Sequence, residues 1–313
     1  MHPFFSILGF SVPGYGLMMA IGVIAAFIVL HYLRKKIAIT EDDFYSAVIL
    51  AMLGGFVGSK LLFWIVEIDT IIQNPHFLLE SITAGFVFYG ALIGGLLAIY
   101  IFVRVKKQKF LAYFDLFVPA VTLAQAFGRI GCFLAGCCYG KEYDGALSVV
   151  FPSGVGSAAP AGIPLFPSQL VESAFLFVLS AVLILIFLRQ KKLGTTTGWY
   201  FILYSIGRFC IEFSRNDYRG AVGPFSTSQF ISIILLILGI ILLMLVKKGK
   251  TDECQRSFPS EPEEDSPVEA ETEEQACASE ESSDTAANEN DSVPEALQDD
   301  ESKEFVSEEE SKS

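Results

Sequence analysis

Gly128-Arg129-Ile130-Gly131-Cys132-Phe133-Leu134-Ala135-Gly136-Cys137-Cys138-Tyr139-Gly140 closes an apolar run that begins near Leu111. The run is long enough to cross a bilayer. It delivers an arginine to the mouth of that span and then opens into a Gly- and Cys-rich turn. A guanidinium at membrane depth is costly unless it has a partner or an anionic ligand. The glycines around it let backbone N–H groups come close to such a ligand. The rest of the chain reads as a membrane scaffold that holds this stretch against a second arginine-bearing segment, Arg208 to Arg215.

Composition supports that reading. Of 313 residues, 52% are hydrophobic and 28 are Phe, a balance typical of polytopic membrane proteins. The net charge of −13 comes from one end: from Thr251 on there are 23 acidic and 3 basic residues, which leaves 12 and 19 for residues 1–250. A mildly basic membrane body, residues 1–250, therefore carries an acidic tail, residues 251–313. The tail is rich in Glu, Ser, Pro and Ala and cannot bury enough apolar surface to fold, so it is expected to be disordered and cytoplasmic. No cleavable signal is evident, because the first apolar segment has its bases after it rather than before.

Seven spans are expected: Tyr15–Leu33, Phe44–Val66, Thr83–Val103, Leu111–Phe133, Ser168–Leu188, Gly198–Phe213 and Ser228–Val246. The first, third, fifth and seventh each end in bases, namely Arg34-Lys35-Lys36, Arg104 with Lys106 and Lys107, Arg189 with Lys191, and Lys247-Lys248. No loop at the opposite ends carries such a cluster. The positive-inside rule then sets the N-terminus outside and the C-terminus in the cytoplasm. Gly54, Gly55, Gly58 and Ser59 give the second span a small-residue surface suited to close helix packing. The expected fold class is an all-α polytopic membrane protein of about seven helices with a disordered acidic tail.

Arginine suits phosphate, since its planar fork donates two parallel hydrogen bonds. Arg129 between Gly128 and Gly131 points to an anion site; the alternative is an arginine that snorkels to lipid headgroups. Arg208, Glu212 and Arg215 follow i, i+4, i+7 spacing and so would share one helix face. A salt bridge that only eases insertion would explain Arg208 with Glu212 and leave Arg215 over. Tyr15 reads as an interfacial anchor and Tyr89 as a deeper residue in a Tyr-Gly-x-x-x-Gly context. Pro167-Ser168 is a normal helix start, in which Ser168 reads as a cap, while Gln169 and Glu172 are unusual at a membrane edge. Cys132, Cys137 and Cys138 lack C-x2-C spacing and a nearby histidine, which favours a disulfide or simple packing over a metal.

Taken in order, Tyr15-Gly16-Leu17-Met18, the Tyr89-Gly-x-Leu-Ile-Gly stretch, Gly128-Arg129-x-Gly131-x-Phe133 through Gly140, Pro167-Ser168-Gln169-Leu170 with Glu172, and Arg208 with Glu212-Phe213 and Arg215 resemble the prolipoprotein diacylglyceryl transferases. The resemblance covers roughly residues 10–248. It implies a multi-pass enzyme of the bacterial cytoplasmic membrane that moves the diacylglyceryl group of phosphatidylglycerol onto a lipobox cysteine thiol and releases glycerol phosphate. It implies catalytic roles for Arg129, Arg208, Tyr89 and Glu212. Contacts to phosphatidylglycerol are implied for Arg129, Gly131, Gly140, Tyr15, Arg215 and Gln169, with Glu212 orienting the two phosphate-binding arginines. Partners would be phosphatidylglycerol, prolipoprotein lipobox peptides and membrane lipids, with no nucleic acid, cofactor or metal.

The chain departs from the family pattern at four places. Tyr89 stands where a histidine is usual, Cys132 for an asparagine, Cys137 for a glutamate, and Phe166 for the histidine before Pro-Ser-Gln. A catalytically altered paralogue or a lipid- or anion-binding protein on the same scaffold is the rival reading. A transporter would show inverted repeats, and no internal repeat is visible. A thiol redox protein would depend on Cys132, Cys137 and Cys138, so their replacement by serine separates it from the transferase.

Overall fold

The computed structural model describes residues 4–7, 10–82, 85–152, 158–216 and 221–252. In chain order these form a hairpin of β1 (Phe4–Ile7) and β2 (Phe10–Pro13), then α1 (Gly14–Arg34), α2 (Glu41–Val66), the short α3 (Ile68–Gln73) and α4 (Phe77–Glu80), α5 (Phe88–Val105) and α6 (Phe110–Leu134). The two-residue strands β3 (Val149–Val150) and β4 (Pro164–Leu165) precede α7 (Ser168–Arg189) and α8 (Thr195–Glu212). Finally, β5 (Ala221–Val222) and β6 (Phe225–Ser226) lead into α9 (Thr227–Lys247), and each strand pair is antiparallel. The acidic tail expected to be disordered lies, from Glu253 onward, outside the described residues.

Among the described residues six helices, α1, α2, α5, α6, α7 and α9, are long and apolar enough to cross a membrane, and the architecture is that of a polytopic membrane protein. The remaining expected span corresponds to α8, 18 residues long, which is less apolar because one side buries Thr196, Thr197, Ser205 and Arg208 against protein. Six of the seven helices start and end within three residues of the expected spans. The exception is α5, expected from Thr83, a residue outside the described set, but starting at Phe88. Gly85 adopts a left-handed φ of 74° just before it. Lys60, buried on α2, donates to the carbonyls of Ser81 and Gly85 (3.2 Å to Gly85). Those carbonyls thus serve a lysine rather than a helix, and the ammonium also lies 4.8 Å from the Phe86 ring centroid.

Helices α2 and α5 meet through glycine. A Cβ added at Gly58 would overlap the Gly90 carbonyl oxygen, and one at Gly94 would overlap that of Gly54. The two Gly-x-x-x-Gly edges bring backbone against backbone, where dispersion contacts and close dipoles replace the hydrophobic drive that lipid removes. Serines do similar work between α7 and α6: Ser173 and Ser180 donate to the carbonyls of Ala126 (2.8 Å) and Pro119 (2.9 Å).

Asp115, fully buried in α6, explains how α8 is started. Its carboxylate accepts from the N–H groups of Gly194 (2.6 Å) and Thr197 (2.8 Å) and from the Thr197 hydroxyl (2.6 Å). A carboxylate at a helix N-terminus satisfies orphan donors and meets the positive end of the dipole. The same end of the bundle gathers the basic residues. Arg34 pairs with Glu41, Lys106 with Asp43 (3.0 Å) and Lys109 with Asp252 (3.6 Å), while Lys192 donates to the Val246 carbonyl (3.2 Å). The arginine-bearing ends of α6 and α8 lie at the opposite end of these helices.

Candidate functional site

Three chain segments must meet for the site to exist, and backbone pairing joins them. Gly140 N–H donates to the Phe166 carbonyl (3.2 Å), Lys141 N–H to Ser214 (2.9 Å) and Phe166 N–H to Lys141 (2.9 Å). Gly140 also forms an isolated bridge with Arg215. The segment after α6 therefore lies between the entry to α7 and the exit from α8. A Cβ at Gly140 would overlap the Phe166 carbonyl oxygen, and a Cβ at Gly131 would come 3.1 Å from the Tyr15 ring. Both glycines were expected to admit a ligand to the backbone; in the structure the close approach at each is made by protein.

Arg129, near the end of α6, faces Glu172 on α7, with Nη2 3.1 Å from Oε1. Glu172 is 1% exposed, and its other oxygen lies 3.3 Å from Arg215 Nη1. Arg208 pairs with Glu212 one turn along α8 (2.8 Å) and donates to the Ser228 hydroxyl on α9 (2.8 Å). The expectation that Arg208, Glu212 and Arg215 share one helix face is corrected here. Helix α8 ends at Glu212, the chain turns through Phe213 and Ser214, and Arg215 swings to Glu172 instead. The expectation that Glu212 orients both phosphate-binding arginines is corrected too: it holds Arg208, whereas Arg129 is held by Glu172.

The two arginines lie at the same end of α6 and α8. Gln125 Nε2 donates to the Tyr204 hydroxyl (3.2 Å), tying α6 to α8. Arg129 and Arg208 each sit four residues further along these helices, which run the same way through the bundle, so both project one turn beyond the tie. The Arg129–Glu172 and Arg208–Glu212 contacts are ion pairs without aligned hydrogen bonds: Glu172 Oε1 and both atoms of the Arg208–Glu212 contact have no hydrogen-bond partner among the described residues. Most of the guanidinium N–H donors are thus left untaken by the described residues. An anion seated between them would take paired, charge-assisted hydrogen bonds.

Gln169 is fully buried and donates to the Cys137 carbonyl (2.8 Å), and Ser168 donates to the Cys138 carbonyl (3.1 Å) rather than capping α7. Both hold the turn after α6. Cys132, Cys137 and Cys138 form no disulfide; their sulfurs lie within 4.8 Å of one another. The Cys137 thiol is held above its usual range: contact with Cys132 lowers it, but contact with Cys138 and burial raise it more. Tyr15 is half-exposed against Gly131. Tyr89 opens α5, is 53% exposed and packs edge-on to Phe88; among the described contacts nothing links it to the arginines. The sequence reading left Glu172 without a role and overlooked Gln125, Tyr204 and Ser228. Glu172 stood out as an acid in an otherwise apolar span, but its two partners did not; Gln125, Tyr204 and Ser228 carry no local signal.

Residues 3–245 match the family model for prolipoprotein diacylglyceryl transferase. The chain is 44% identical over 251 residues to phosphatidylglycerol–prolipoprotein diacylglyceryl transferase 2 of Clostridium perfringens, covering 80% of this chain and 97% of that one. It is 44% identical over 236 residues to the phosphatidylglycerol–prolipoprotein diacylglyceryl transferase of Clostridium tetani (75% and 94% covered) and 31% identical over 252 residues to that of Finegoldia magna (80% and 98%).

Proposed function

The chain belongs to the prolipoprotein diacylglyceryl transferase family, and we infer that it transfers the diacylglyceryl group of phosphatidylglycerol to the lipobox cysteine thiol of prolipoproteins. The observation that supports this in the molecule itself is the pair Arg129 and Arg208, each one turn beyond the tie between α6 and α8 and with most of their N–H donors left untaken by the described residues. In the reaction the thiolate sulfur bonds to the glyceryl carbon that carries the phosphate. The carbon–oxygen bond breaks, its electron pair stays on the phosphate oxygen, and glycerol phosphate leaves. Charge on the phosphate grows from −1 towards −2. Fixed guanidiniums there stabilise the transition state more than the bound lipid, which raises turnover rather than affinity alone.

Glu172 and Glu212 keep the two forks aimed, Arg215 supports Glu172, and Ser168 and Gln169 brace the neighbouring turn. Gly131 lets α1, and Gly140 lets the segments at Phe166 and Ser214, close around the headgroup, and Tyr15 borders it. Tyr89, at the position where the family usually has histidine, takes the thiol proton on its phenolate oxygen, which becomes the neutral hydroxyl. The enzyme sits in the bacterial plasma membrane with seven spans, the N-terminus outside and the basic helix ends in the cytoplasm. The clustering of those bases at one end of the bundle supports that orientation.

The test is direct. Purified protein in bilayers, given phosphatidylglycerol and a lipobox peptide, should add one diacylglyceryl unit to the cysteine, read by mass spectrometry. Arg129→Ala and Arg208→Ala should each lose at least ~100-fold in turnover, the cost of deleting one preorganised donor to a developing charge, while still inserting. Full activity in either variant would remove that arginine from the site, and no product from the parent protein would sink the reading.

A further inference from the structure

The three cysteines at the end of α6 are not absorbed by the transfer chemistry. Their spacing does not read as a metal motif, yet the fold gathers them: all three sulfurs lie within 4.8 Å of one another. Adjacent residues in extended chain point to opposite sides. Cys137 and Cys138 avoid this because the chain takes two left-handed steps, Gly136 at φ 65° and Cys138 at φ 61°. A left-handed step is free for glycine but strained for a cysteine, whose Cβ crowds the following carbonyl. Such strain persists where surrounding contacts over-determine it and tends to mark function.

Those contacts are present. Cys137 N–H donates to the Cys132 carbonyl (3.0 Å), closing the turn on the last coil of α6. From the other side Gln169 and Ser168 fix the carbonyls of Cys137 and Cys138. The turn is pinned at both residues by buried side chains, so the sulfurs are gathered before any ligand arrives.

We propose that Cys132, Cys137 and Cys138 form a three-thiolate site for one thiophilic divalent cation of the Zn2+ or Cd2+ class, with the fourth position open to solvent. With Zn–S bonds of ~2.3 Å, tetrahedral thiolates stand about 3.8 Å apart. The observed separations therefore need to close by at most about 1 Å, which side-chain rotation supplies. Each thiol that binds releases its proton to solvent, and the ion replaces it. The site adjoins Arg129, three residues before Cys132 on the same helix face. It does not depend on the transferase reading.

Cd2+ is the probe, because thiolate-to-cadmium charge transfer absorbs in the ultraviolet. The full-length protein in detergent is reduced with a phosphine, freed of metal and titrated. The expected result is saturation at one Cd2+ per chain, at least tenfold weaker binding in Cys132→Ser, and unchanged binding in Cys210→Ser and in the tail variant Cys254→Ser/Cys277→Ser. Alkylation of the parent protein, mapped by peptide mass spectrometry, should show Cys132, Cys137 and Cys138 protected by Cd2+ while Cys210, exposed on α8, still reacts. That mapping decides the matter even if a serine variant folds poorly. No saturable band under reducing conditions, binding that survives Cys132→Ser in full, or protection confined to Cys210 or the tail would each overturn the site.

Discussion

Glu172→Gln is the change that asks most of the site. The substitution keeps shape and one acceptor oxygen but removes the charge shared by two arginines. Glu172 now offers one oxygen to Arg129 at 3.1 Å and the other to Arg215 at 3.3 Å. Glutamine can serve one of them; its NH2 group must then face the other guanidinium, donor against donor. The carboxylate is 1% exposed, so water does not make up the loss. Removing one partner of a buried ion pair costs ~3–5 kcal/mol, and the lower end suits a site at the rim of the bundle. About 3 kcal/mol corresponds to roughly 150-fold in a rate or equilibrium constant. If Arg129 is the group released, turnover should fall by about that factor while KM for phosphatidylglycerol moves less, since its donors matter most as charge develops. Thermal unfolding in detergent should show a lowered midpoint. The assay is the peptide-lipidation rate across a range of phosphatidylglycerol contents in mixed vesicles. Turnover within threefold of the parent protein, with an unchanged unfolding midpoint, would refute the role given to Glu172.

Other outcomes follow from the same geometry. Tyr89→Phe should lower turnover by ~10²–10⁴ if that phenolate oxygen takes the thiol proton, and Tyr89→His should restore it; equal rates for phenylalanine and tyrosine would remove Tyr89 from the chemistry. Gly94→Ala would drive a methyl into the Gly54 carbonyl and should destabilise the α2–α5 pair by ~1–3 kcal/mol, read as a lower unfolding midpoint; an unchanged midpoint would mean the helices do not meet there. Truncation after Asp252, which keeps the residue that accepts from Leu193 and pairs with Lys109, should leave transfer unchanged; lost activity at normal expression would give the tail a role.

The helices were legible because lipid demands long apolar runs. Ser168–Leu188 was expected and Ser168–Arg189 found, with the serine after Pro167 marking the start. The link between Arg208 and Glu212 was legible for a related reason, since four residues on a helix make neighbours whatever the tertiary fold. Arg215 was misplaced because the same spacing was carried past the end of α8, and nothing local announces that end. Glu172 reaches its partners across 43 residues in each direction. Pairings of that range are set by how α6, α7 and the Gly140 junction close on one another, which periodicity does not record. Asp115 was hidden in an apolar run, and only the position of the next helix but one reveals it as a cap.

The ties between α6 and α8 have a consequence for what the two arginines can measure. Asp115 holds the start of α8 and Gln125 holds it again at Tyr204, nearly three turns further along α6. Two rods fastened at two depths cannot splay independently, so they act as a caliper with its jaws at Arg129 and Arg208. Its opening is set by protein before a lipid arrives. Such a gauge discriminates by the size and charge of the group between the jaws and is blind to the acyl chains left in the bilayer. Turnover should track the headgroup steeply and the chain length hardly at all.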